Sequence, residues 1–131
     1  MKLQLETWRV TEVNFSLREG KNLDRGFQIN LSNRFPSDSN EVFVVTLDLS
    51  INDPEFELNL NSSFVFKCDQ AITEEFKTSD FPRVNAPAIA FPFLRAYISN
   101  LTLQSGINPL ILPSINFVEL AKNNSGSKGG L

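Results

Sequence analysis

Few side chains in this sequence are of the types that carry catalysis. There is one cysteine, Cys68, and no histidine, so a single chain can build neither a thiol–imidazole pair nor a Cys/His zinc site. Glu74 and Glu75 are adjacent and would diverge on a helix, while Asp53 and Glu55 lie in a turn sequence, where carboxylates are usually solvated. We therefore expect no enzyme activity, no metal site and no cofactor, and we expect Cys68 to be a small buried residue at the end of a strand.

Composition excludes further classes of function. The net charge is -3, from 12 basic and 15 acidic residues, and gives no clustered basic face for nucleic acid. The glycines at residues 126–130 follow no predicted strand and open no predicted helix, as a phosphate-binding loop would require. The chain has no secretory signal at residues 1–10 and no apolar run of about 18 residues. These features predict a soluble cytoplasmic protein with no nucleic-acid partner and no direct membrane insertion.

The unusual residues are apolar. Twelve Phe stand against one Tyr and one Trp, and residues 110–112 are three consecutive apolar residues between two prolines, which keep the segment extended and out of a central strand. Adjacent side chains of an extended chain point in opposite directions, so at least one should face outward. Two interpretations of Ile111 stay open: it packs on its own sheet or a partner subunit, or it lines a groove for extended apolar peptide. Phe91 and Phe93 carry the same alternatives.

Two helices are predicted around this segment. Pro92 suits the first turn of the longer helix, and Gly106 suits its end, because glycine readily takes the left-handed conformation there. The apolar residues of this helix recur at three- and four-residue spacing, and we expect them to meet the sheet on one side and a neighbouring subunit on the flank. A short helix over residues 117–122 is capped by Asn116. The predicted interface residues are Leu94, Tyr97, Ile98 and Leu101.

The first half of the chain alternates with the two-residue period of strands. Residues 8–17 change apolar phase near residues 11–12, which indicates a bulge. Residues 27–31 form a second strand, and residues 43–51 and 56–66 form a long hairpin about a turn at residues 52–55. Residues 73–77 could form one helical turn, and residues 79–87 are a proline-punctuated linker. The fold class is therefore α+β, a four-stranded antiparallel sheet followed by a long helix, a proline-bracketed crossing loop and a short C-terminal helix.

This order, and the motifs FPFLRAYISN at residues 91–100 and NPLILPSINF at residues 108–117, resemble the SecB family of export chaperones. The resemblance covers residues 84–122 best. It implies the same sheet-and-helix fold, a tetramer built as a dimer of dimers, and an ATP-independent holdase function toward unfolded clients, which are preproteins or, in relatives from toxin–antitoxin–chaperone systems, an antitoxin. We expect one domain over residues 1–123 and a flexible tail over residues 124–131.

The resemblance also suggests sites. We expect an apolar channel between the crossing loop and the sheet, which would bind clients through residues of the helix entry, the loop and the third strand. Glu12 falls where the family has an acidic residue that docks the SecA motor, but Ser16 and Asn59 fall where two others would be, so any SecA binding should be weak. The alternative function is a non-catalytic oligomeric assembly module, for example phage-encoded, without holdase activity. The predicted client-binding residues are Phe91, Phe93, Leu110, Ile111, Leu112, Val42 and Val44.

Overall fold

A computed structural model describes residues 1–18, 25–123 and 129–130. Four antiparallel strands are followed by helices, which is the α+β order that the sequence predicts. A two-residue fifth strand adds to the edge of this sheet. The elements are β1 (Leu3–Leu17), β2 (Gly26–Arg34), β3 (Val42–Asn52), β4 (Phe56–Cys68), α1 (Glu74–Lys77), a π-helical turn (Phe81–Asn85), α2 (Ala86–Gln104), α3 (Phe117–Asn123) and β5 (Gly129–Gly130).

The strands lie in the order β1-β4-β3-β2-β5, and every neighbouring pair is antiparallel. The predicted hairpin is confirmed: Leu49 of β3 lies opposite Leu60 of β4, and the turn is closed by backbone bonds from Asp53 to Phe56 at 3.0 Å and from Phe56 to Asp53 at 3.2 Å. This register brings odd residues of β3 onto the same face as even residues of β4, and both sets are buried. We call this apolar side of the sheet the inner face.

Strand β1 contains two bulges, which keep its apolar residues on the inner face. The register shifts between Leu5 and Thr7 and again between Val10 and Glu12, so the predicted phase change near residues 11–12 is confirmed as a bulge. Each bulge inserts one extra residue and resets the alternation. As a result Val10 and Val13, which differ in sequence phase, both lie opposite inner-face positions of β4.

The long helix begins earlier than the sequence predicts. Helix α2 starts at Ala86, directly after the π-helical turn, so the predicted linker over residues 79–87 is largely helical. Pro87 occupies the first turn, the position that the sequence analysis assigned to Pro92, and Pro92 lies in the helix interior, where it supplies no amide for the carbonyl of residue 88. The predicted end is confirmed: Gly106 has φ 92 and follows the last turn.

Side chains cap the two shorter helices as expected. Thr73 accepts a hydrogen bond from the Phe76 amide at 3.1 Å, and Asn116 accepts one from the Glu119 amide at 3.1 Å. The predicted tail over residues 124–131 lies outside the described residues except for Gly129–Gly130, which pair with β2. The division into one domain over residues 1–123 and a flexible tail stays a prediction.

The core lies between the inner face of the sheet and the helices. Ala90, Leu94 and Ile98 of α2 are fully buried there, and stacked phenylalanines of the sheet, such as Phe43 and Phe66 at 5.4 Å between centroids, fill much of the volume. Cys68 belongs to this core, as expected. No helix in the described part of the chain is long and apolar enough to cross a membrane.

Candidate functional site

Thr102 fixes the path of the crossing loop, residues 107–116, which joins α2 to α3. Its side chain is fully buried, and its hydroxyl accepts a hydrogen bond from the Leu110 amide at 2.8 Å. The same oxygen lies 3.0 Å from the Ile98 carbonyl and 2.9 Å from the Ser99 carbonyl, and it donates its proton to one of these. The Ile107 amide also donates to the Thr102 carbonyl at 3.2 Å. The last turn of α2 therefore anchors the loop.

Along the anchored loop, residues 110–112 alternate in exposure as an extended segment should. Leu112 is 3% exposed and belongs to the core, Leu110 is half-buried, and Ile111 is 75% exposed. Ile111 therefore does not pack on its own sheet. Of the interpretations left open by the sequence, two remain for it: contact with a partner subunit, or contact with a bound apolar peptide.

An apolar cleft of about 230 Å³ lies between the loop and the ends of β2 and β3. We call it the loop cleft. Phe27 and Ile51 supply its wall on the sheet side, and Arg25 and Asp53, whose Nε and Oδ2 atoms are 3.7 Å apart, lie at its rim. The sequence analysis placed a groove between loop and sheet but missed Phe27 and Ile51, although both lie in the apolar phase of their strands. The loop supplies Leu110, Ile111, Leu112 and Pro113.

A second, wider cleft of about 570 Å³ lies between β1 and α2, and we call it the aromatic cleft. The Trp8 ring stacks on Phe64 at 5.2 Å and contacts Phe93 and Tyr97, each at 6.3 Å between centroids. Phe93 is 47% exposed. Its other lining residues are Pro92, Ala96 and Asn100, and of these Pro92 and Ala96 also line a shallow depression shared with Ile111 and Leu112.

The exposed apolar surface therefore runs across α2. The shared position of Pro92 and Ala96 joins the Ile111 side of the helix to the Trp8 side. Three further exposed apolar residues, Ile89, Phe93 and Leu103, lie on α2 itself. They recur at multiples of the helical repeat with Ala96 and Asn100 between them, which places them on one stripe. We call it the α2 stripe.

The structure corrects three of the predicted client-binding residues. Phe91 is 3% exposed and packs edge-on against Phe117 at 5.8 Å, so it is a core residue. Val42 and Val44 occupy even positions of β3, on the outer face of the sheet, whereas α2 and the crossing loop cover the inner face. Side chains that alternate along a strand cannot line one channel from opposite faces. The predicted continuous channel therefore loses these residues and gains Phe27 and Ile51.

The structure also corrects two of the predicted interface residues. Leu94 and Ile98 have no exposed area within the single chain, so they have none left to cover with a partner. Tyr97 and Leu101 are half-buried and remain available. The sequence analysis selected the apolar stripe that the chain uses for its own core, because three- and four-residue spacing does not distinguish a core stripe from an interface stripe.

On the outer face, acidic and amide side chains form a row across three strands. Glu12 of β1 lies opposite Asn61 of β4, which lies opposite Asp48 of β3. The Asn61 amide is 3.4 Å from Glu12 Oε1, and turning the amide over places its nitrogen 3.2 Å from Asp48 Oδ1. Burial raises the pKa of the Asp48 carboxyl. The predicted docking residue Glu12 is exposed, and Asp48 is a second acidic residue near it that the sequence analysis missed.

The remaining predicted docking positions carry no charge toward a partner. Asn59 accepts a hydrogen bond from the Ser50 hydroxyl at 2.8 Å, and Ser16 lies opposite Glu57 on the outer face. As for reactive chemistry, burial, and then the nearby carboxylates of Asp69 and Glu41, raise the pKa of the Cys68 thiol and hold it protonated. The described residues contain no group of three or more His, Cys, Asp or Glu side chains placed to hold a metal ion. The distinctive surfaces of the chain are thus apolar clefts suited to binding.

Comparisons with known proteins agree with this fold. A family model described as the preprotein translocase subunit SecB matches residues 11–127. The Protein-export protein SecB of Anaplasma phagocytophilum is 31% identical over 100 residues, which cover 66% of this chain and 62% of that protein. An uncharacterized protein of Methanocaldococcus jannaschii is 43% identical over 47 residues, which cover 36% of this chain and 30% of that protein. The chain thus spans about half the length of the curated relatives it matches.

Among solved structures, a SecB-like chaperone of Mycobacterium tuberculosis, in complex with a ChAD peptide from the HigA1 antitoxin, has the same fold. Its TM-score is 0.68 at 16% identity, and the match covers 86% of this chain and 87% of that one. The four antiparallel strands, the long helix and the short last helix recur in it. With this fold and a family match over residues 11–127, the chain belongs to the SecB family.

Proposed function

We propose that this chain is a cytoplasmic, ATP-independent chaperone, a holdase that binds extended apolar segments of unfolded client proteins and catalyses no reaction. The observation that carries the proposal is Ile111, a large apolar side chain that is 75% exposed on a loop anchored by the buried Thr102 hydroxyl. An exposed isoleucine alone would mean little. Here it borders an apolar cleft, and family membership in SecB supports a chaperone role.

The clefts suit clients of many sequences. The walls of the loop cleft are largely apolar rings and aliphatic side chains, which accept apolar residues without selecting a particular hydrogen-bond pattern. Burial of one large apolar client side chain against Ile111 would contribute about 1.5–3 kcal/mol, and several such contacts reach about micromolar affinity after ordering losses. Binding to the unfolded state holds a client by mass action and requires no nucleotide.

Two client classes are supported by different relatives. The curated relatives named Protein-export protein SecB favour preproteins, whereas the chaperone of Mycobacterium tuberculosis solved with an antitoxin peptide favours a dedicated antitoxin client. We keep both. Co-purification from the native host followed by mass spectrometry would decide, because a dedicated chaperone should carry one dominant client and an export chaperone many.

We further propose that the chain assembles as a dimer of dimers. The α2 stripe, together with the half-buried Tyr97 and Leu101, is the surface available for this contact. A SecA-type partner would dock on the outer face at Glu12 and Asp48, and weakly, because Ser16 and Asn59 supply no charge-assisted hydrogen bonds there. Two such missing bonds would each lower affinity by roughly one to two powers of ten.

The test of the holdase proposal is Ile111→Asp. We expect it to weaken suppression of aggregation of a chemically denatured model enzyme, with no nucleotide present, by at least about tenfold, because it removes apolar burial and places a charge in an apolar slot. Val118→Asp is the matched control, since Val118 is a similarly exposed apolar residue on α3 that lines none of the clefts described above. Unfolding curves should match the parent for both variants.

If Ile111→Asp holds clients as well as the parent protein, the loop cleft is not the client site. The alternative function, a non-catalytic oligomeric assembly module, is favoured by the α2 stripe, which could serve self-association alone. That reading predicts that the parent protein itself fails to suppress aggregation at stoichiometric ratio, while it forms stable oligomers by light scattering.

A further inference from the structure

A third cleft, chemically unlike the other two, lies toward the far end of β2 from the loop cleft. It has a volume of about 450 Å³ and lies between β2, the C-terminal end of α1, the π-helical turn and α3. Residues 31–33 of β2 supply one wall, and α3 contributes Ala121. The opposite wall carries two cationic side chains, Lys77 and Arg83, with Thr78 near them. We call it the basic cleft.

Arg83 is the less satisfied of the two cations. Its side chain is half-buried, and Nη1 donates to the Thr78 carbonyl at 3.3 Å. Within the described part of the chain no carboxylate lies at ion-pair distance from it, since the ion pairs there join other residues. A guanidinium has five N–H donors in a planar fork that matches a carboxylate, so most of this donor capacity is open to a ligand.

Lys77 lies within reach of the same ligand. Its Nζ is 2.9 Å from Glu74 Oε2 in an i,i+3 pair, but the Glu74 side chain is 90% exposed, so this pair is worth little and exchanges easily. The ammonium group also lies 5.5 Å from the centroid of the Phe35 ring, which holds the side chain beside β2. Two cations on one wall of a polar cleft favour an oxyanion.

The position of the cleft indicates a peptide as the carrier of that anion. In the described sheet, residues 28–29 of β2 pair with Gly129–Gly130, whereas residues 30–34 have a partner strand on the β3 side alone. The β5 pairing demonstrates that this edge accepts an extended antiparallel chain. A segment lying farther along the edge, beside residues 31–33, would pass directly by Lys77 and Arg83.

We propose that the basic cleft binds a carboxylate of an extended client segment through Arg83 and Lys77, so that the chain prefers apolar clients with an acidic residue. This inference rests on the proposed holdase function and adds a charge preference to it. The preference does not follow from overall charge, because a chain of net charge -3 would, on average, repel acidic peptides.

The test uses two short fluorescein-labelled peptides with apolar residues at alternate positions, one with a central Glu and one with Gln at that place. Fluorescence anisotropy with the parent protein should give the Glu peptide an affinity roughly tenfold higher, as expected for one charge-assisted contact. Arg83→Gln and, separately, Lys77→Gln should each reduce this advantage and leave the affinity for the Gln peptide unchanged. Arg9→Gln on the exposed outer face of β1 is the matched control and should keep it.

Three outcomes would count against the inference. Equal affinity of the two peptides for the parent protein would overturn it and leave the holdase proposal standing. An undiminished Glu preference in both Arg83→Gln and Lys77→Gln would overturn it as well, because the carboxylate would then bind elsewhere. Failure of both peptides to bind would overturn the holdase proposal together with this inference. Unfolding curves of the two variants confirm that each is folded, and Lys77→Gln, at the more exposed cation, keeps the test valid if Arg83→Gln is destabilised.

Discussion

Replacing Thr102 by valine should release the crossing loop without changing the shape of the core. Valine nearly matches threonine in volume and has a similar helix propensity, so the packing of α2 should persist. The substitution deletes the acceptor of the 2.8 Å hydrogen bond from the Leu110 amide. It also deletes the bond from the hydroxyl to a carbonyl of the preceding turn, whose loss affects a helix little.

The magnitude follows from the burial of the two groups. A buried donor left without a partner costs about 1–3 kcal/mol. Thr102 is fully buried but Leu110 is half-buried, so water can reach the orphaned amide in part, and we expect a loss of about 1–2 kcal/mol in the free energy of unfolding. At the urea dependence usual for small domains, this lowers the unfolding midpoint by roughly 0.5–1 M.

The assay is urea unfolding at equilibrium, with Thr11→Val as the control. The Thr11 hydroxyl also bonds a backbone carbonyl, that of Asn61 at 3.2 Å, but it is exposed, so its loss should change stability by less than about 0.5 kcal/mol. Hydrogen exchange should show the Leu110 amide deprotected in Thr102→Val. Equal midpoints for the two variants, with the Leu110 amide still protected, would refute the anchoring role and leave Leu112 packing as what holds the loop.

Three further results are expected. Gly106→Ala should lower the free energy of unfolding by about 1 kcal/mol in urea melts, because φ is 92 and the new Cβ meets no atom within 4 Å that could offset the strain. Asp48→Asn should stabilise the fold at pH 7 and not at pH 3: a carboxyl whose pKa is raised by burial supports the fold fully below about 3.8, and that support is lost as pH rises through the folded-state pKa. The emission of Trp8, the sole tryptophan, should shift to shorter wavelength as protein concentration drives assembly over the aromatic cleft, and unchanged emission would place the interface elsewhere.

The strands could be predicted because their pattern reports burial directly. In β3 and β4 every second residue is apolar, and a two-residue period has a single structural meaning. The bulge near Thr11 was also visible, because Val10 and Val13 differ in phase. The start of α2 could not be predicted equally well: Pro87 and Pro92 suit a first turn equally, and the choice depends on the π-helical turn that precedes Ala86.

The site was predicted less well than the fold, and for one physical reason. A sequence pattern shows which residues share a face, but it does not show what covers that face. Val44 and Leu47 are both apolar residues of β3, yet the helices cover the Leu47 face alone. Thr102 was missed because a threonine in a helix usually signals nothing, and its role depends on the amide of Leu110, eight residues later, returning to it.

The positions of the clefts allow assembly and client binding to occur together. Covering the α2 stripe with a partner would bury Phe93 and the aromatic cleft, and it would close the shallow depression at Pro92 and Ala96. The loop cleft lies on the other side of the crossing loop, where Phe27 and Ile51 form its wall, and neither residue belongs to the α2 stripe. A tetramer joined through α2 would therefore keep each loop cleft open, and Ile111, on the ridge between the two surfaces, would be its movable apolar rim. Oligomer formation and client holding should consequently separate by mutation, the first lost on changing the α2 stripe and the second on changing the loop.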